Sequence, residues 1–416
     1  MTGLRVELVS EHASPLVAVG AVDAGGQNVH VAALATHLAG LGCSVNVVTR
    51  ADAPSLPRQV RMAPGVQVEH LTAGPHRPVA KDELWDHMTG FARQLHRRWR
   101  QTRPDVVHAH FWMSGWAAEW ARRRLADPPP LVQTFHALGT VKRRHQGRAD
   151  TSPAERCSVE AELTRSVDHV VATCMDEVRE LTAMGGDPDR MTVVPCGVDT
   201  LAFRPDGPVA PARRSGYRIV MVSRLVRRKG IDDVVAALPA LPGTELLVAG
   251  GPPAYALAGD CEAQRLEAIA RRFGVEDRVR LMGAVARSDM PALLRSADLV
   301  ACVPWYEPFG IVPLEAMACG TPVVGSAVGG LLDTIQHGCT GLLIPPKDSR
   351  AFATAAARLL GNPSLSMHMG AEGAARVRQE YTWPQVARTT LDVYGRVLAA
   401  DDPAVPSAGL DVAVRA

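Results

Sequence analysis

What is missing from this chain of 416 residues removes whole classes of protein. Its 8 cysteines stand singly, with no Cys-x-x-Cys pair and no secretory leader, which argues against a disulfide framework or a zinc site and fits a reducing cytoplasm. No run of about 18 apolar residues occurs, so no membrane-spanning helix is expected. Lysine and arginine number 45 against 43 aspartate and glutamate, a balance that gives no support to nucleic acid as the principal partner. Any anion site must therefore be local. The arginine-rich pieces Arg97-Arg98-Trp99-Arg100 and Arg122-Arg123-Arg124 read as solvated helix faces. No internal repeat is visible, and no Gly-x-Gly-x-x-Gly spacing of the dinucleotide enzymes follows the first strand.

What is present is an alternation of short apolar strands with helical stretches, which predicts parallel sheets covered on both faces. A chain of this length exceeds one ordinary hydrophobic core, so two domains are expected. Leu4–Val9 is strand-like, a glycine-rich loop follows, and a helix is predicted from about Val29 to Leu41, ending at Gly42. Segments beginning at Ser44, Val106, Leu131 and His169 supply further strands in this half, and segments at Arg218, Glu245, Val279, Leu299 and Pro322 supply those of a second. The Pro- and Gly-rich stretch Pro205–Pro211 reads as the linker between them. The expected fold is α/β, two doubly wound Rossmann-like domains facing across a cleft, with the ligand crevice at the carboxyl ends of the strands. The first domain is placed at 1–205 and the second at 212–380. A last helix is placed at 381–400, on the roughly helical apolar spacing of Trp383, Val386, Leu391, Val393, Tyr394 and Val397, with a flexible tail at 401–416.

The most informative segment runs from Glu307 to Pro322, with two glutamates, Glu307 and Glu315, eight residues apart. The first falls in a loop and the second in the helix that follows. The free amides of such a helix can meet a phosphate, and its carboxylate can hold a sugar hydroxyl pair. Gly310, Gly320-Thr321-Pro322 and Gly329-Gly330 surround it. Elsewhere, tandem Gly25-Gly26 between the first strand and helix lets a backbone approach a ligand where a Cβ would clash. Arg224 and Lys229 follow the first strand of the second half, where this fold presents ligands and where a cation pair stabilises a departing diphosphate.

Taken together, these residues resemble the Glu-x7-Glu signature of retaining glycosyltransferases of the GT-B type (glycosyltransferase family 4), a family that includes the sucrose-synthesising and mycothiol enzymes. The resemblance runs from Leu4 to about residue 398. It implies that the last helix crosses back to the first domain. It also implies catalytic roles for His136, Arg224, Lys229 and Glu307, with donor contacts from Gly26, Arg224, Lys229, Phe309, Gly310, Ile311, Val312 and Glu315. Glu307 would meet donor-sugar hydroxyls and Glu315 the ribose. On the acceptor side it points to His12, Asp23, Gly25, Gln27, Asn28, Lys81, Phe111, Ala137 and Arg156. Phe111 and Ala137 stand where the inositol-phosphate-using members carry Tyr and Thr, so two acceptor hydrogen bonds are missing here.

The implied reaction is transfer of a hexose, of glucose or N-acetylglucosamine type, from a nucleotide diphosphate sugar with retention at the anomeric carbon. UDP is the family-weighted donor carrier, and the acceptor is small, hydroxylated and open to being phosphorylated. No cofactor is required on this reading, since the nucleotide sugar is a substrate and a divalent metal is not essential. His108 and His110 lie on one strand face without a carboxylate or cysteine to complete a metal set. A GDP-sugar donor, a sugar-nucleotide epimerase, a phosphorylase and a non-catalytic nucleotide-sugar-binding protein remain as alternatives on the same architecture, and a homodimer is left open.

Overall fold

The computed structural model describes residues 3–16, 26–209 and 216–400. Asp23 and Gly25 of the glycine-rich loop, residues 210 and 211 of the linker and the 401–416 tail lie outside the described residues. The first half runs β1 (Arg5–Val9), α1 (Gly26–Gly40), β2 (Ser44–Arg50), β3 (Gln59–Ala63), β4 (Val66–Leu71), α2 (Met88–Thr102), β5 (Val106–His110), α3 (Trp112–Arg122), β6 (Leu131–Thr134), α4 (Gly139–Gln146), α5 (Arg156–Ser166), β7 (His169–Ala172), α6 (Met175–Ala183) and β8 (Met191–Val193). The second runs β9 (Tyr217–Val222), α7 (Ile231–Ala237), β10 (Thr244–Ala249), α8 (Cys261–Arg272), β11 (Val279–Gly283), α9 (Met290–Arg295), β12 (Leu299–Cys302), α10 (Ile311–Ala318), β13 (Val323–Ser326), α11 (Leu331–Thr334), β14 (Gly341–Ile344), α12 (Ser349–Leu360) and α13 (Pro363–Glu380). Helix α14 (Trp383–Ala400) completes the described chain.

The strands form two sheets, in the orders β3-β4-β2-β1-β5-β6-β7-β8 and β11-β10-β9-β12-β13-β14. Every pair is parallel except β3, which runs antiparallel to β4. Strand order reverses between β1 and β5 in one sheet and between β9 and β12 in the other. A doubly wound sheet leaves its crevice at such a reversal, because the crossover helices on either side diverge there. Val106 to His110 are buried at every position, as a strand covered on both faces requires.

Helix α1 begins three residues earlier than the apolar spacing indicates, at Gly26 rather than Val29. Its end is as read, with Gly42 in the left-handed conformation just beyond. The Arg97–Arg100 piece is not a uniformly solvated face. Arg98 donates to Glu7 at 2.9 Å and pairs with Glu69, and Trp99 donates its indole N–H to the other oxygen of Glu7. Both carboxylates are buried, so the helix arginine answers charges that the sheet itself carries. Arg122 likewise pairs with Glu119 and Asp168.

Helix α14 packs on the first sheet rather than on the half that precedes it in sequence. Its Trp383 ring meets His30 of α1 edge-on at 5.4 Å, and Tyr394 reaches His108 in β5. The proton positions along that contact follow from one constraint. Thr134 donates its hydroxyl to the Val171 carbonyl at 3.0 Å, so it can only accept from His108 Nε2, at 2.9 Å. His108 Nδ1 is then bare and accepts the Tyr394 hydroxyl at 2.7 Å. Burial holds this imidazole neutral, with its pKa pushed down to about 3. Replacing Tyr394 with Phe leaves a buried acceptor without a donor, and the expected cost is about 1–3 kcal/mol of stability in a urea titration. An unchanged midpoint would mean that the hydroxyl does not hold α14 to the sheet.

Candidate functional site

The site is built from loops at the carboxyl ends of β1, β5, β9 and β12, the strands flanking the two reversals, and of β6 beside β5. In the second half, the loop after β9 carries Arg224 and closes in a short 3-10 turn, Arg227–Lys229. Gly230 follows with φ +69°, and a Cβ there would stand 2.2 Å from the Val303 carbonyl oxygen. Only glycine lets this turn lie against the end of β12, and the contact brings Lys229 to Glu307, which it meets in a short ion pair. Their side chains are 18% and 15% exposed, so the pair is neither fully hydrated nor sealed. Arg224 is exposed on the same loop, while Arg228 lies over the Tyr306 ring at 5.1 Å.

Glu307 is held from behind. Its carbonyl accepts from Gly330 N at 3.0 Å, and a Cβ on Gly329 would come within 2.1 Å of that same oxygen. Gly310, at φ +92°, then turns the chain into α10, whose first amides have no side-chain cap. Uncapped amides at a helix start carry partial positive charge and suit an anion. Glu315, one turn on, is buried against Arg287 at 2.5 Å. Burial raises its pKa, with the Arg287 charge opposing. Arg287 escapes a reading by motif, although it follows β11 as Arg224 follows β9, and its guanidinium also lies 4.4 Å over the Phe203 ring. Gly26 faces α10 from the first half: a Cβ there would stand 3.1 Å from the Ile311 side chain.

In the first half, the residues just past β5 and β6 are strained. Phe111 has φ +80° and His136 φ +61°, left-handed values that cost a non-glycine residue on the order of 1 kcal/mol or more. The Phe111 ring is covered by Lys81 Nζ at 3.7 Å, by the Arg156 guanidinium at 5.0 Å and by the His12 edge at 5.0 Å. Burial and the Arg156 charge push the Lys81 pKa down to about 7. Arg156 itself is buried and spends its guanidinium within the protein, on Glu160 at 2.7 Å and on the Ala137 carbonyl at 2.7 Å. Glu160 also takes Gly139 N at 2.8 Å, so the arginine sets the position of the Ala137 loop. His12 is bonded to Glu11 at 2.7 Å. Gln27 reaches the His110 carbonyl at 3.3 Å, and Asn28 donates to the Ser14 carbonyl at 2.9 Å.

His136 is not alone. Its Nε2 lies 3.0 Å from His110 Nδ1, and His30, from α1, stands edge-on at 5.1 Å. His110 stacks on His136 with ring centroids 5.2 Å apart and lies tilted against His108 at 4.3 Å. These imidazoles come from three different elements, so no spacing in the sequence announces the group, and no metal-binding cluster forms among the described residues.

Residues 24–201 match the family model described as Glycosyltransferase Family 4, and residues 209–376 match the model described as Glycosyl transferases group 1. The D-inositol 3-phosphate glycosyltransferase of Acidothermus cellulolyticus is 37% identical over 417 residues, covering 96% of this chain and 91% of the relative. The chain belongs to the family 4 glycosyltransferases. A second protein of that description, from Kribbella flavida, is 36% identical over 94% of this chain and 95% of its own length. The sucrose-phosphate synthase of Thermosynechococcus elongatus superposes with a TM-score of 0.87 at 30% identity, covering 96% of this chain and all of that one. The two doubly wound halves of this glycosyltransferase are thus the GT-B fold of its family.

Burial also makes the histidine group of this glycosyltransferase a source of acid sensitivity. His30 is lowered to about 4, and His110 and His136 well below the ordinary value, by desolvation and by one another. An unfolded histidine titrates near 6.5, so the stability these groups hold is complete above that pH and is lost as pH falls toward 4. Buried Glu7, Glu160 and Glu315, raised by desolvation, shift the other way, so the imidazole share is isolated by comparison. His30→Phe is expected to gain about 1.4 kcal/mol per pH unit relative to wild type between pH 6.5 and 4. Parallel urea midpoints for the two proteins across that range would contradict it.

Proposed function

We propose that this glycosyltransferase moves a hexose from a nucleotide diphosphate sugar, UDP-linked, to a small phosphorylated acceptor with retention at the anomeric carbon. The observation that carries the reading is the Lys229–Glu307 ion pair beside the uncapped start of α10, opposite Gly26. Breaking the bond between the sugar carbon and the phosphate oxygen leaves charge on the diphosphate. Lys229, Arg224 and the first amides of α10 neutralise it. Glu307, released from Lys229 as that cation turns to phosphate, takes hydroxyls of the sugar. Glu315 receives the ribose while Arg287 balances its buried charge.

Retention follows when the acceptor oxygen attacks from the face that the leaving group departs and a leaving phosphate oxygen takes its proton. That route needs no separate general base. The cations and the helix end supply the electrostatic stabilisation, so a divalent metal is not essential. Lys81 is the group for an anionic acceptor, since Arg156 is committed to Glu160 and Ala137. The names of the relatives from Acidothermus and Thermosynechococcus each include a phosphate ester, which supports a phosphorylated acceptor. Phe111 and Ala137 offer that acceptor no side-chain hydroxyl. No described helix is long and apolar enough to cross a membrane, and a cytoplasmic enzyme is the setting proposed.

The test is product analysis. An α-linked donor should give an α-linked product by proton NMR, and Glu307→Gln, with its fold intact, should lose about a hundredfold or more in kcat. A β-linked product, or full turnover in the variant, would overturn the reading.

A further inference from the structure

His110 is buried completely and held among three other imidazoles, with ring centroids 4.3 Å from His108, 5.2 Å from His136 and 5.6 Å from His30. Its two nitrogens have different fates. Nδ1 lies 3.0 Å from His136 Nε2, a hydrogen bond that needs one proton between the two atoms. Nε2 is buried and has no partner among the described residues. Two neutral arrangements satisfy the contact. In the first, His110 carries its proton on Nδ1 and donates to a bare His136 Nε2, leaving its own Nε2 as an unused acceptor. In the second, His136 donates, and His110 must carry its proton on Nε2, a buried N–H with nothing to receive it.

The first arrangement is the cheaper one. An orphaned N–H is the rarer and more costly buried group, whereas an unused acceptor is tolerated more often. A charged pair is disfavoured as well, since burial opposes the imidazolium and His110 already contacts three other imidazoles. His108 cannot relieve the choice, because both of its nitrogens are committed, to Thr134 and to Tyr394. With Nε2 bare, the proton of His136 sits on Nδ1. That nitrogen has no hydrogen-bond partner among the described residues, and His136 is only partly buried.

We propose that His110 is a positioning residue that fixes the tautomer of His136, so that His136 offers substrate a hydrogen-bond donor at Nδ1 and not an acceptor. The inference rests on the reading that His136 meets the substrate. A donor suits that place, since it can give its proton to a sugar hydroxyl oxygen and cannot take one from the acceptor in competition with the leaving phosphate. The left-handed backbone at His136 and the hydrogen bond from His110 then serve one purpose, aiming a single N–H.

The direct experiment uses the wild-type enzyme labelled with nitrogen-15 in its histidine rings, read by long-range proton–nitrogen correlation at pH 7.5, with His136 assigned by loss of its signals in His136→Gln. The expected result is a protonated Nδ1 and a bare Nε2 on His136. A protonated Nε2 there overturns the inference whatever the activity. Kinetics supply the second arm. His110→Asn keeps an N–H near the position of Nδ1 and should retain most of kcat, whereas His110→Leu should lose about tenfold. Full kcat in a folded His110→Leu alongside an inactive Glu307→Gln overturns the positioning role and leaves the site reading standing. Full kcat in Glu307→Gln as well overturns the site reading itself.

Discussion

Lys229 and Glu307 neutralise each other across the mouth of the second sheet, and that mutual neutralisation lets two charges wait in a half-buried crevice. An unpaired carboxylate or ammonium there would pay for desolvation with nothing in return. On the proposed reading the pair is exchanged when donor binds: a diphosphate would offer Lys229 a better partner, and the sugar hydroxyls that arrive with it would offer Glu307 donors in place of the ammonium. Each neighbouring feature secures that geometry. Gly230 lets the lysine turn touch β12, Gly329 and Gly330 clasp the Glu307 carbonyl, and Gly310 starts the uncapped helix α10 beside the Glu307 side chain.

The opposite wall is held by different means. Phe111 and His136 adopt left-handed backbone conformations at the ends of adjacent strands, and such strain persists only where the surroundings over-determine it. Here the surroundings are the Arg156–Glu160 pair beneath the Ala137 loop, the cations on Phe111 and the histidine group that α14 closes over with Trp383 and Tyr394. A helix from the end of the chain thereby supports the wall formed by its beginning.

Much of this was legible in the sequence because a doubly wound fold confines ligands to strand ends. Once Val106–His110, Leu131–Thr134 and Arg218–Val222 read as strands, the residues just beyond them were the ones to inspect, and Phe111, His136, Arg224 and Lys229 stand there. The Glu307 to Glu315 spacing spans a loop and the first turns of one helix, so it survives as a linear pattern. Contacts made between elements leave no such pattern. Arg287 reaches Glu315 from after β11, and His30 and His110 reach His136 from α1 and β5. The buried commitment of Arg156 and the Arg98 pairs with Glu7 and Glu69 were invisible for the same reason, since an arginine's partner is set by packing and not by its neighbours in the chain.

The proposed exchange of partners at the Lys229–Glu307 pair is tested most directly by calorimetric titration of UDP and UDP-glucose into the wild type, Lys229→Ala and Glu307→Gln. The account predicts that Lys229→Ala binds UDP at least about tenfold more weakly. It also predicts that Glu307→Gln binds UDP no more weakly than wild type while losing the advantage of UDP-glucose over UDP. Wild-type UDP affinity in Lys229→Ala would contradict it.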